Sequence, residues 1–278
     1  MGIEELFDLR EKVALITGGA GLLGTQYAEA FAEVGAKIVL VDVNMKGCAE
    51  NAKQLEKRYP VQILSIQTDV SKKRSVKEMV RKIVKRFGRI DILINNAAFT
   101  AKHGSKKHEG YFAPVEEYPV DLWEEVLSIN LTGMFLCSQE VGKQMLKQKG
   151  GVIINVSSIY GLVGPDQRIY HGVKNPYNPF QKMNTPIVYS VTKGAVLSLT
   201  RYLATYWAQK NIRVNCLTLG GVFEGHDKKF VKNYSLRTPL GRMAKKDEYK
   251  GAVLFLASDA SSYMTGANLV VDGGWTAW

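Results

Sequence analysis

The 278-residue chain has three cysteines, four histidines and eight prolines, and none of its apolar runs approaches the roughly 20 residues that a bilayer crossing needs. Each shortage removes a class of protein. Cys48, Cys137 and Cys216 are odd in number and share no C-x-x-C or metal-ligand spacing. That argues against a disulfide scaffold and a thiolate metal site, and predicts reduced, buried thiols of a cytoplasmic protein. His103, His108, His171 and His226 include no pair at helical ligand spacing, so no metal is expected. The opening MGIEELFDLREK is mixed in charge and reads as neither a secretory signal nor a transit peptide. No repeat, low-complexity tract or linker divides the chain. At 46% hydrophobic and 23% charged, it can bury one large core.

What is present alternates. Strand-like runs at about 13–17, 37–43, 61–68, 90–96, 151–157, 212–219 and 267–272 are separated by helical stretches at about 22–34, 45–58, 72–87, 118–148, 187–209 and 246–258. This order predicts a single α/β domain with a parallel, doubly wound sheet of about seven strands. Its ligands should lie beyond the carboxyl ends of the strands. The first unit is strand 13–17, the turn TGGAGLLG, an Ala-rich helix and a second strand ending in Asp42, 24 residues after Gly18. Glycines there admit a pyrophosphate close to the backbone, and the helix N-terminus stabilises its charge. Asp42 would accept hydrogen bonds from ribose hydroxyls and repel a 2′-phosphate, which favours NAD over NADP.

Tyr189 and Lys193 in YSVTK stand four apart, on one face of a helix. An ammonium beside a phenol favours the ionised phenol, bringing it toward the range of a general acid/base. Ser158, ending the apolar run GVIINVSS, would hydrogen-bond the same substrate oxygen.

These motifs together resemble the short-chain dehydrogenase/reductase family over nearly the whole chain, from about Leu9 to Trp278. The resemblance implies a Rossmann-type domain that transfers hydride between a nicotinamide and an alcohol or carbonyl. Asn130, Ser158, Tyr189 and Lys193 match the family's catalytic tetrad; Ser158 fits better than Ser157. Lys193 would also bind the nicotinamide ribose, and Asn130 would hold a water of a proton relay. Gly18, Gly21, Leu22, Leu23 and Gly24 match the cofactor turn, Asp69 and Val70 the adenine contact, Asn96 and Ala97 the NNAG-like segment, and Gly220 and Val222 the backbone at the nicotinamide amide. The family also implies a homotetramer or homodimer, with Leu197, Leu199, Leu203 and Trp207 on an interface helix and the C-terminal Gly-Gly-Trp-Thr-Ala-Trp capping the assembly or reaching a neighbour's pocket. Members of this length usually carry Gly-x-x-x-Gly-x-Gly, whereas Leu22 here takes the middle glycine position. Leu219-Gly220 replaces the usual Pro-Gly, and the 31-residue gap from Ser158 to Tyr189 is much longer than usual. Loop pattern further resembles enzymes of bacterial surface-sugar and flagellin modification.

The net charge of +11 is concentrated in the segments 99–112, 163–188 and 222–237, each netting +2. Lys102, Lys106 and Lys107 supply the first, Arg168, Lys174 and Lys182 the second, and Lys228, Lys229, Lys232 and Arg237 the third. A basic rim around the substrate pocket predicts an anionic or sugar-derived substrate, phosphorylated or nucleotide-linked, with Arg168 as the bidentate contact and Tyr170 beside it. Lysines spread over three loops around a crevice fit nucleic acid or a membrane surface poorly. The insertion 164–186 holds four of the eight prolines together with Tyr170, Tyr177 and Phe180, and reads as an ordered loop that covers substrate or packs on a neighbouring subunit. Within enzymes, the alternative to a dehydrogenase is a nucleotide-sugar dehydratase or epimerase that reduces NAD transiently.

Overall fold

The computed structural model describes residues 2–99, 101 and 106–278. Strands β1 (Val13–Thr17), β2 (Lys37–Asp42), β3 (Ile63–Gln67), β4 (Ile92–Asn95), β5 (Gly151–Ser158), β6 (Ile212–Leu219) and β7 (Asn268–Val271) alternate with helices α1 (Ile3–Leu6), α2 (Leu22–Glu33), α3 (Met45–Arg58), α4 (Lys73–Phe87), α5 (Val120–Leu127), α6 (Met134–Lys147), α7 (Ile187–Trp207), α8 (Lys228–Ser235) and α9 (Lys250–Ala257). Among the described residues the strands form one sheet in the order β3-β2-β1-β4-β5-β6-β7. Every pairing is parallel.

All five residues of β1 are buried, because helices cover both faces of the sheet and no alternation is needed. Tyr27 and Phe31 of α2, Leu55 of α3 and Val253 and Leu256 of α9 pack on one face. Met79 and Ile83 of α4, Val141 and Met145 of α6 and Leu203 and Trp207 of α7 pack on the other. Strand order reverses at β1, which lies between β2 and β4. Connections there leave the sheet in opposite directions and open a crevice over the carboxyl ends.

The expected helical stretch 118–148 runs from Val120 to Lys147, with a π-helical segment, Ser128–Gly133, that joins α5 to α6 and contains Asn130. Two expectations change. The segment 222–237 is not all loop, because the Asp227 carboxylate accepts from the Lys229 and Phe230 N–H groups and starts α8. Leu203 and Trp207, expected at a subunit interface, are buried in the chain's own core, and Leu199 packs partly against it. Their side of α7 faces the sheet, whereas Val191, Tyr202 and Tyr206 are exposed.

All three cysteines are buried and unpaired. No described helix is long and apolar enough to cross a membrane. The insertion is tied to both neighbouring loops. Asn184 N–H donates to Phe112 O and the Tyr177 hydroxyl to Ala101 O. On the other side Arg237 pairs with Asp166, and Asn233 Nδ2 donates to the Ile169 and His171 carbonyls.

Candidate active site

Two adjoining hollows share Leu23, Asn96 and Ala98 and run across the strand ends. The first is lined by Gly18, Gly21, Leu22, Leu23, Asp42, Asp69, Val70, Asn96 and Ala97. Asp42 closes β2 with both oxygens fixed, Oδ2 accepting from Ala20 N–H at 3.2 Å and Oδ1 from Asn44 N–H at 3.0 Å. Asp69 Oδ1 accepts from the Ser71 N–H and hydroxyl. Asn96 braces the glycine turn, its Nδ2 donating to Thr17 O at 2.9 Å. Gly24 does not line the hollow. A Cβ there would lie 2.1 Å from the Gly18 carbonyl oxygen, so Gly24 is what lets α2 start against the turn. Leu22 occupies the first turn of α2 beside Gly21 with its side chain part-exposed.

The second hollow holds Ser158, Tyr189, Lys193, Gly220 and Val222. Lys193 is buried, with Nζ 5.7 Å from the Tyr189 ring centroid and donating to Val156 O at 2.8 Å. Burial holds its amine down at about 8. Burial also raises the Tyr189 phenol, opposed by a hydrogen bond with Ser158. The Lys193 amine is directed at a carbonyl, and burial is the largest influence on the Tyr189 phenol in the free protein.

The two serines have different partners. Ser157 Oγ donates to Lys193 O at 2.8 Å and anchors α7 to β5, while Ser158 faces Tyr189. Asn130 is buried, its Oδ1 accepting from Phe99 N–H at 2.7 Å and its Nδ2 donating to Thr192 Oγ1 at 3.3 Å. Each end of the amide holds a protein partner, so the π segment serves to tie the end of β4 to the turn of α7 that carries Tyr189 and Lys193.

The wall opposite Tyr189 is aromatic. Tyr160, Tyr170, His226, Phe230, Tyr234 and Met243 line it. Phe230 packs on Tyr170 at 5.5 Å and on His226 at 5.2 Å, and Tyr234 stacks on Trp275 at 4.3 Å. Of these, Tyr170 was the expected substrate contact. The signal for the wall was present in His226, Phe230 and Tyr234, spaced four apart, the first just before α8 and the other two on it. Trp275 packs behind this wall and is 7% exposed, whereas Trp278 is exposed.

Arg168 is not part of this wall. Its guanidinium folds onto Asp166 at 2.8 Å and its side chain is 72% exposed, because Asp166 is the nearer partner and also binds Arg237. Lys174, Lys182, Lys228, Lys229 and Lys232 are exposed. Lys102 and His103 lie outside the described residues, as do the side chains of Lys106 and Lys107.

A dinucleotide fits these surroundings on two observations. The turn at Gly18 and Gly24 leaves no room for a side chain. Val222 lines the second hollow, and its N–H and C=O have no partner among the described residues, a donor and acceptor pair suited to a carboxamide.

The chain matches the short chain dehydrogenase family model over residues 12–175 and a second model, described as enoyl-(acyl carrier protein) reductase, over 177–276. It is 31% identical to an NAD-dependent glycerol dehydrogenase of Listeria innocua, covering 99% of this chain and 98% of that one. It is 35% identical to a D-threitol dehydrogenase of Mycolicibacterium smegmatis, covering 97% and 95%. A crystal structure of a gluconate 5-dehydrogenase from Burkholderia cenocepacia, in complex with NADP and tartrate, superposes with a TM-score of 0.85 at 30% identity over 100% of both chains. With seven parallel strands, the glycine turn and the Ser158, Tyr189 and Lys193 cluster on one crevice, the chain belongs to the short-chain dehydrogenase/reductase family, as an oxidoreductase that interconverts alcohols and carbonyls.

Proposed function

We propose that the protein is an NAD-linked dehydrogenase of an uncharged, sugar-derived polyol. One observation carries the substrate class: Lys193 is the sole lysine or arginine among the described residues of the substrate hollow, whose far wall is aromatic rings and hydroxyls. Such a surface stacks on the C–H faces of a polyol chain and bonds its hydroxyls, and it offers a phosphate no fixed cation. The relatives named for glycerol and D-threitol agree with this reading. The basic loops then act at a distance, as solvated charge around the entrance.

Bound here, NAD would supply the hydride acceptor for the carbinol carbon. Ser158 and Tyr189 would hold the substrate oxygen between their hydroxyls, with Tyr189 taking its proton. Lys193 would hold the ribose hydroxyls, and Asn130 keeps α7 in register with the end of β4. The preference for NAD rests on Asp42 and on a lining around the adenosine end that contains Asp42, Asp69 and Glu125 and no lysine or arginine among the described residues. A second copy of the chain would dock on the exposed side of α7, at Val191, Tyr202 and Tyr206.

Initial rates with glycerol, tetritols and pentitols, each with NAD and NADP, test the assignment. NAD should be used in preference, and unphosphorylated polyols should outpace their phosphates. Asp42→Ala should raise the Kd for NAD by about tenfold, as expected for lost hydrogen bonds to a carboxylate, while improving NADP binding. Equal NAD binding in the variant would remove Asp42 from the cofactor site.

A further inference from the structure

The peptide groups on either side of the Gly220 to Gly221 bond are held on all four sides. Gly220 N–H donates to Val271 O, and the Tyr249 hydroxyl donates to Gly220 O at 3.0 Å. Gly221 O accepts from Ala244 N–H, and Gly221 N–H donates to the Tyr234 hydroxyl at 2.6 Å. Side chains thus supply two of the four bonds, and only one of those side chains, Tyr234, also lines the substrate hollow.

Tyr234 is 3% exposed, stacked on Trp275 at 28° and packed among Ile159, Ile169 and Met243. Gly221 is shaped to it: a Cβ at that position would lie 2.8 Å from the Tyr234 ring carbon that bears the hydroxyl. Glycine gives the backbone freedom here, and Leu219 supplies none of the stiffness that a proline would. The next residue, Val222, lines that hollow, and its N–H and C=O are without partners among the described residues.

We infer that Tyr234, braced by Trp275, is a positioning residue that fixes the Gly221 peptide so that the Val222 N–H and C=O meet the carboxamide of the nicotinamide. The inference rests on the reading that a nicotinamide cofactor occupies the second hollow. It links the C-terminal tail and α8 to the cofactor, so the part of the chain that walls the substrate also sets the nicotinamide plane. Burial pushes the Tyr234 phenol up to about 12, so it stays neutral and keeps its proton across the working range.

Binding of NAD and of ADP-ribose, which lacks the nicotinamide, separates this role from a structural one. Tyr234→Phe keeps the ring and its stack but removes the acceptor. NAD should weaken by about three- to tenfold, the value of one neutral hydrogen bond, with ADP-ribose unchanged. Trp275→Leu, which unbraces the ring, should show the same selective loss and serves if the phenylalanine variant does not fold. Equal weakening of both ligands, or of neither, overturns the inference. Failure of the wild type to bind NAD more tightly than ADP-ribose would instead overturn the placement of nicotinamide in this hollow.

Discussion

Tyr189→Phe is expected to lower turnover by on the order of 10³-fold, the contribution of a positioned acid/base, while the Kd for NAD changes by less than about twofold, since the ring that Lys193 faces is retained. The phenol stands at the strand ends beside Ser158, and burial raises it. Polyol oxidation needs it to accept a proton, so the oxidation rate should rise with pH and the variant should lose that rise. Steady-state rates over a pH series, with NAD titrations at each end, give both quantities. Retention of the pH-dependent limb in the variant would assign the proton to another group.

Lys193→Met is expected to abolish measurable turnover and to change how stability depends on pH. In the fold the amine is buried with one carbonyl partner and held at about 8, down from 10.5, a difference of on the order of 3 kcal/mol. Below pH 8 both folded and unfolded chains carry the proton, and the burial cost is whole. Between 8 and 10.5 the folded chain has released the proton and the unfolded chain has not, so stability rises with pH across that window. Methionine removes this dependence. The wild type should therefore gain stability relative to the variant as pH climbs from 8 to 10.5, measured by denaturant unfolding at fixed temperature. A difference that stays flat would mean that the amine is solvated.

The sheet was legible because buried parallel strands read as unbroken apolar runs: VALIT and KIVLVD coincide with β1 and β2. The turn, Asp42 and the Tyr189 and Lys193 pair were legible because their chemistry depends on local spacing. What escaped depends on tertiary contact. The π segment at Asn130 has no periodicity of its own, being set by the bonds of Asn130 to Phe99 and Thr192. Arg168 looked like an anion contact because a sequence shows charge but not its partner, and Asp166 stands two residues away. Leu203 and Trp207 were placed at an interface by the family resemblance, which does not say which side of the helix the chain's own sheet covers. Trp275 lies far from Tyr189 in the chain and joins the same wall only through β7.

Net hydride transfer from an uncharged polyol to NAD is tested most directly by the fate of deuterium placed on the carbinol carbon. The label should appear in reduced NAD, in amounts equal to the carbonyl product and with a primary isotope effect on the rate. Deuterium retained in a rearranged or dehydrated sugar, with no reduced NAD accumulating, would contradict it and would point to an enzyme that reduces its cofactor only in passing.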